Sequence, residues 1–236
     1  MPPGGSIWIG FIIAGCIRTD GCGQNGLGFT PVIMKGTTMR YANMTARLVF
    51  LLLIGLLAGC GRAAPHYHAS DVGDRYDHAD FHLTDMNGKP RSLSDFRGKV
   101  VAVYFGYTHC PQACPTTLAG YARTLRLLGK DADRVQVLFI TVDPERDTRQ
   151  LLSKFVTAFD PRILGLYGDA QETAAAATSF HVSYKKHVEK SGGYSMDHST
   201  FSYLVDTHGK VRLMVGDMEP ADWLAQDIRQ LLASGQ

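Results

Sequence analysis

Two cysteines four residues apart, each followed by a proline, are the residues of this chain best suited to chemistry: Cys110-Pro111-Gln112-Ala113-Cys114-Pro115. They follow an unbroken apolar run, Val100 to Phe105, and precede Leu118, Ala122, Leu125 and Leu128 at helical spacing. Proline is tolerated in a helix only in its first turn, so Pro111 and Pro115 place a helix start between or just beside the two cysteines. Both thiols are then expected in the field of a helix N-terminus. That field favours thiolate, the form that binds a soft metal or attacks a disulfide. The bland alternative, two cysteines packed as small buried hydrophobes, leaves the prolines and the helix start unexplained. Spacing of i and i+4 puts both sulfurs on one helix face, with Cβ atoms about 5–6 Å apart. A disulfide needs them at about 3.8 Å, whereas a metal ion bridges the wider gap. The spacing favours metal and leaves redox work open.

The first sixty residues explain why this pair stands alone. Arg40 and Arg47 precede the apolar run Leu48 to Ala58, which is followed by small residues and Cys60, the pattern of a secretory signal. The run is shorter than the roughly 20 apolar residues of a membrane span. Leu57-Ala58-Gly59-Cys60 resembles the bacterial lipoprotein signal, in which cleavage leaves the cysteine lipidated at the new N-terminus; the competing reading is an uncleaved anchor with an incidental cysteine. Either reading places the domain outside the cytoplasm. Signals of this kind begin close to their basic region, so Met39 or Met44 is the expected start and residues 1–38, with Cys16 and Cys22, an upstream extension rather than a cytoplasmic tail. Of five cysteines, only Cys110 and Cys114 then remain in the mature domain, and one bridge closing so small a loop staples nothing.

The expected organisation is an extension over 1–38, a lipoprotein signal over 39–59, a flexible tether over 60–77 and one domain over 78–236. His66 and His68 fall on the tether, where no neighbouring groups would orient them as ligands. The domain opens with Phe81 to Leu93 around Asn87-Gly88, a β-hairpin pattern. Val100 to Phe105, the amphipathic stretch and the apolar Val135 to Val142 read as a right-handed parallel βαβ unit. Asp147 is a candidate cap for a helix bearing Leu152, Phe155, Val156 and Phe159, and Asp169 with Glu172 for another. Phe201 to Val205 and Val211 to Val215 flank a turn at His208-Gly209, and a helix with Leu224, Ile228 and Leu231 closes the chain, Pro220 in its first turn. These elements pack economically as an α/β three-layer sandwich with a mixed sheet.

Three stretches in order carry a family resemblance: Tyr104 to Pro115, Thr141-Val-Asp-Pro-Glu-Arg-Asp147 and Met196-Asp-His-Ser199. Together they resemble the Sco/SenC family of copper chaperones over residues 78–236. The resemblance implies a thioredoxin-like fold and delivery of copper to the dinuclear copper site of cytochrome c oxidase subunit II. It also implies Cys110, Cys114 and His198 as the copper ligands. Topology agrees for His198: a strand from Phe201 running antiparallel to that from Val100 begins at the sheet end that carries the cysteines. His109 adjoins Cys110, but neighbours on a strand end point apart, so it is a secondary candidate. His208 belongs to the far turn, and solvated surface is the default for His82, His181 and His187. Thiolates suit Cu(I) and an imidazole also supports Cu(II). Asp143 is a candidate hydrogen-bonding group beside the thiolates, with turn formation before Pro144 as its plainer role. Asp197 is a candidate weak ligand or orienting group for His198, or a plain loop carboxylate.

The rival activity is that of a thiol-disulfide oxidoreductase using Cys110 and Cys114 on partner cysteines. Such reductases resemble one another in Cys-x-x-Cys and in a proline before the later strand, where this chain has Ser199 and Thr200. A peroxiredoxin pattern fails at Val103 and Tyr107. A sensor whose loaded state a partner reads is not separable from a carrier by sequence. With a formal charge of +2 and no dense Lys/Arg block, nucleic acid is not an expected partner. The expected partners are the oxidase subunit or another copper-accepting protein, and the membrane through the lipid. A monomer on the extracytoplasmic (periplasmic) face is expected, since no heptad pattern calls for a dimer.

Overall fold

The computed structural model describes residues 47, 49–50, 66–73, 75–190, 192–217 and 219–235. The chain divides into two units, Met1–Arg62 and Ala63–Gln236. In the first, Arg47, Val49 and Phe50 are described, as exposed helical residues. The 1–38 extension, most of the 39–59 signal and Cys16, Cys22 and Cys60 therefore lie outside the described residues. The second unit carries the sheet and its helices.

An apolar run buried along its whole length makes a central strand, and β4 (Val100–Gly106) is that strand. Its parallel neighbour β5 (Val135–Thr141) pairs from Val100↔Val135 to Gly106↔Thr141, joined through α1 (Ala113–Leu128), the expected βαβ unit. Beyond β5 a third parallel strand, β6 (Ile163–Tyr167), follows α2 (Arg149–Thr157). The hairpin of β2 (His82–Asp85) and β3 (Pro90–Ser92) is added beside β6, with β2 antiparallel to it. On the other side of β4 come β9 (Ser202–Val205) and β10 (Val211–Val215), then β1 (Ser70–Asp71), all antiparallel to their neighbours. The sheet order is β1-β10-β9-β4-β5-β6-β2-β3, and β7 (Tyr184–Val188) with β8 (Tyr194–His198) forms a separate two-stranded ribbon.

Alternation along β4 sends Tyr104 and Phe105 to opposite faces. Tyr104 packs near Phe139, which meets Phe155 of α2, and its hydroxyl reaches Cys114 of α1. Phe105 packs on Phe180, at the end of α3 (Ala170–Ser179). Helices α1 and α2 therefore share one face with α4 (Ala221–Ser234), which packs along α1, while α3 covers the other. This is the expected α/β three-layer, thioredoxin-like sandwich with a mixed sheet and an added N-terminal hairpin.

Both hairpins of the main sheet use one turn device. The buried carboxylate of Asp85 accepts the backbone N–H of Asn87 and Lys89, and that of Asp206 accepts those of His208 and Lys210. Three residues on, Gly88 (φ 85°) and Gly209 (φ 83°) take the left-handed conformation that a side chain resists. The capping box of α3 is built by Asp169 and Glu172 as expected, whereas α2 is capped by Thr148, whose hydroxyl accepts the Leu151 amide.

The tether expected over 60–77 is docked from residue 66 onward. Ser70 and Asp71 pair with β10, and Ala69 and Val72 are buried. The fully buried carboxylate of Asp227 on α4 accepts the backbone N–H of His68 (3.0 Å) and Ala69 (2.9 Å) and faces His68 Nδ1 at 3.0 Å, while the His68 ring stacks on Trp223. Sequence could not reveal this, because the segment is tied by one carboxylate 159 residues away rather than by an apolar pattern. Asp227→Ala strips partners from those amides, and we expect a loss of about 2–3 kcal/mol in denaturant unfolding. Amide exchange in residues 68–72 should accelerate more than in β4.

Candidate metal centre

Strand β4 ends at Gly106, and Tyr107–Cys110 is a turn closed by the Cys110 N–H on the Tyr107 carbonyl (3.2 Å). Helix α1 starts at Ala113, so only Cys114 is helical, and the expected i, i+4 helical pair is instead a turn residue facing a first-turn residue. Gln112 at the N-cap offers no side-chain bond, and Pro115 carries no N–H. The free Cys114 amide points at Cys110 Sγ, 3.4 Å away, so a sulfur caps the helix.

The two thiols are free and unequal. Cys114 is fully buried, receives the Tyr104 hydroxyl at 3.8 Å, and lies against Gly106 so closely that a Cβ there would stand 2.6 Å from its sulfur. Cys110 is 9% exposed. The Cys114 thiol bonds to Cys110 and, with the backbone amides of Cys114 and Gln112, lowers the Cys110 pKa to about 3 against the cost of burial. The same bond, with burial, pushes Cys114 far above the ordinary thiol range. The sequence places both thiols alike in the helix field. Their mutual hydrogen bond and the deeper burial of Cys114 separate them, favouring thiolate at Cys110 and thiol at Cys114.

His198 ends β8 and is brought over by the β7–β8 ribbon. Its Nδ1 lies 3.0 Å from the Ser199 carbonyl, which can only accept, so the proton sits on Nδ1 and Nε2 is left with its lone pair. That Nε2 is 3.7 Å from Cys114 Sγ. Tyr107 and Tyr104 meet the ring edge-on, at 5.7 and 6.2 Å between centroids. One donor atom each from Cys110, Cys114 and His198 lies within 4.8 Å of the other two. Donors at about 2.0–2.3 Å from a shared first-row ion stand roughly 3.5–4.5 Å apart, so the three fit a soft ion with little movement.

Two expected groups are elsewhere. Asp143 is buried but touches neither sulfur: it accepts Arg146 Nε at 2.5 Å and the Tyr194 hydroxyl at 2.8 Å. Asp197 is exposed, opposite Lys185 across the ribbon, and the Ser199 carbonyl orients His198 in its place. Asp147 anchors the cysteine turn instead of capping α2, accepting Thr108 N, Thr108 Oγ1 and Thr141 Oγ1 at 2.6–3.0 Å. His208 lies at the far turn, and His82 and His187 are exposed, as expected.

Sequence reading missed the clamp that holds His198. Arg146 donates Nη1 to the Tyr194 carbonyl at 2.8 Å and lies 3.6 Å over the Tyr194 ring. Lys186 covers the same ring at 3.9 Å and pairs with Glu145 at 2.6 Å. The loop after β5 thus grips the ribbon. The motif Thr141 to Asp147 contained these residues, but only the fold shows what they hold.

A thioredoxin-like sandwich with Cys-x-x-x-Cys at a helix start and a histidine brought across the sheet end defines the class. The chain belongs to the SCO1/SenC family, whose model matches residues 71–233. It is 38% identical over 158 residues to the mouse protein SCO2 homolog, mitochondrial, covering 66% of this chain and 62% of that protein, so it spans less than two thirds of that relative. A solved structure of Bradyrhizobium japonicum ScoI with copper bound is 41% identical, covers 64% of this chain and 97% of that one, and superposes with a TM-score of 0.61. Apo Sco1 from Thermus thermophilus is 35% identical, with 72% and 99% covered and a TM-score of 0.64.

Two outcomes are expected from this geometry. The thiolate absorbance of the metal-free chain that is lost on Cys110→Ser should stay constant between about pH 5 and pH 8, because a depressed pKa keeps Cys110 ionised there. A titration midpoint near the ordinary thiol value contradicts the pairing. Arg146→Ala should speed amide exchange over Tyr184–His198 while β4 and β5 stay protected, and weaken metal binding by roughly 10- to 100-fold.

Proposed function

We propose that this chain is a copper chaperone that holds Cu(I) or Cu(II) through Cys110, Cys114 and His198. It delivers the ion to the dinuclear copper site of cytochrome c oxidase subunit II, or to another copper-accepting protein. The observation that carries the reading is the convergence of two sulfurs and one unprotonated imidazole nitrogen within 4.8 Å at one end of the sheet. The copper-bound relative supports the choice of ion. The lipoprotein pattern at Cys60 supports tethering to the outer face of a bacterial membrane.

Each residue has a distinct part. Ionised Cys110, the more exposed of the two sulfurs, is the first soft donor an arriving ion meets. Cys114 gives up its proton as the second sulfur binds, and the neutral Tyr104 hydroxyl beside it stabilises the new thiolate. His198 arrives oriented, its Nδ1 proton held by Ser199, so its nitrogen binds without reorientation. Release is ligand exchange, with acceptor thiolates replacing these donors in turn. The donors bind and let go, and the ion keeps its oxidation state.

The unequal thiols also support a second reading, that of a thiol-disulfide oxidoreductase, since an ionised sulfur beside a protonated one is the arrangement exchange begins from. Against it, nucleophilicity falls with pKa, and a thiolate as stabilised as Cys110 attacks slowly. Anaerobic titration of the chain with copper should give one ion per chain and lose it on replacing any of the three donors. Unchanged binding in His198→Ala rejects the three-donor site. Turnover of a disulfide substrate by metal-free His198→Ala protein supports the rival.

A further inference from the structure

His109 stands outside the three-donor cluster, yet it is held as metal-binding histidines are held. Neighbours point apart on a strand, whereas Thr108 and His109 are the two central residues of the Tyr107–Cys110 turn. The His109 side chain is 48% exposed, and behind it lies the carboxylate of Asp147, which is 0% exposed. Thr108 Oγ1 connects them, 2.6 Å from Asp147 Oδ1 and 3.1 Å from His109 Nδ1, with Asp147 Oδ1 itself 3.7 Å from that nitrogen. Because the hydroxyl proton goes to the carboxylate, Thr108 Oγ1 accepts from the ring, which puts the proton on Nδ1. Nε2 is left basic and turned away from this buried network. A carboxylate or hydroxyl behind one ring nitrogen is how proteins fix the tautomer and direction of a metal-binding imidazole.

The site itself makes such a residue useful. Cys114 is fully buried, whereas Cys110 is 9% exposed and His198 is partly exposed, so Cys110 is the sulfur nearer solvent, and His109 is its neighbour in the chain. We infer that His109 is a transfer ligand for copper: an exposed imidazole that takes the ion transiently on its way into and out of the buried cluster. In the step, the bond from copper to His109 Nε2 forms as that to His198 Nε2 breaks. Cys110 and Cys114 remain bound in this exchange, so one nitrogen donor replaces another and the oxidation state is unchanged. The inference rests on the copper-binding reading above and adds a kinetic role.

The test loads the full chain with copper and follows transfer of Cu(I) to the chelator bicinchoninate by stopped flow. His109→Ala and His109→Asn, the latter keeping a donor toward Thr108, should both bind one ion with the wild-type Cu(II) charge-transfer spectrum. Both should release it more slowly, by roughly tenfold, the lower end of what losing one partner around a metal costs. Wild-type transfer rates in both variants overturn the inference and leave the copper-binding reading standing. Lower stoichiometry or an altered resting spectrum also overturns it, because His109 would then be a resident ligand. If the wild-type chain takes up no copper, the copper-binding reading fails, and the inference with it.

Discussion

The pairing of β9 against β4 is the constraint on which the site depends. Tyr104 stands opposite Ser202 and Val101 opposite Val205. That register brings the chain after His198 into line with the chain before Cys110, although 84 residues separate Cys114 from His198. Since β4 is buried on both faces, a slip of one residue would exchange Tyr104 with Phe105 and turn the Tyr104 hydroxyl away from Cys114. Gly106 tightens the constraint: the sulfur of Cys114 and the ring of Phe139 occupy the space a side chain would need.

Two buried carboxylates on one loop then set the distance between the halves of the site. Asp147 ties the cysteine turn through Thr108, and Asp143 ties the His198 ribbon through Arg146 and Tyr194. Both belong to the segment that leaves β5 at Thr141, whose own hydroxyl donates to Asp147. Neither carboxylate reaches the donors. Their effect on the site is mechanical: in a low-dielectric interior, each satisfied carboxylate fixes several groups at once, and leaving any of them unpaired is costly.

Much of this is legible in the residues because it comes from local pattern. Apolar runs mark β4 and β5, helical spacing marks α1 and α4, and the Asp-Met-Asn-Gly and Asp-Thr-His-Gly turns arise from side-chain bonds within four residues. What escapes is held by distant partners. Strand β6 is hidden because Gly165 interrupts a short apolar run; the glycine is needed where Leu152 of α2 presses on the strand. The β7–β8 ribbon is largely polar and buries only Met196, too weak an apolar signal to read as two strands, since it lies outside the main sheet. The cysteines and His198 are legible from spacing, topology and family likeness together. Asp143 and Asp197 stand farther from the sulfurs than expected, because sequence gives proximity to a strand end and not direction.

The single proton shared by Cys110 and Cys114 ties occupancy to acidity. An ion that takes both sulfurs must expel that proton, and an ion that leaves lets it return. Under the proposed reading, surroundings rich in protons tilt the exchange toward unloading, and alkaline ones toward retention. A carrier built this way would sense the acidity of the compartment it serves through the hydrogen bond between its own thiol and thiolate.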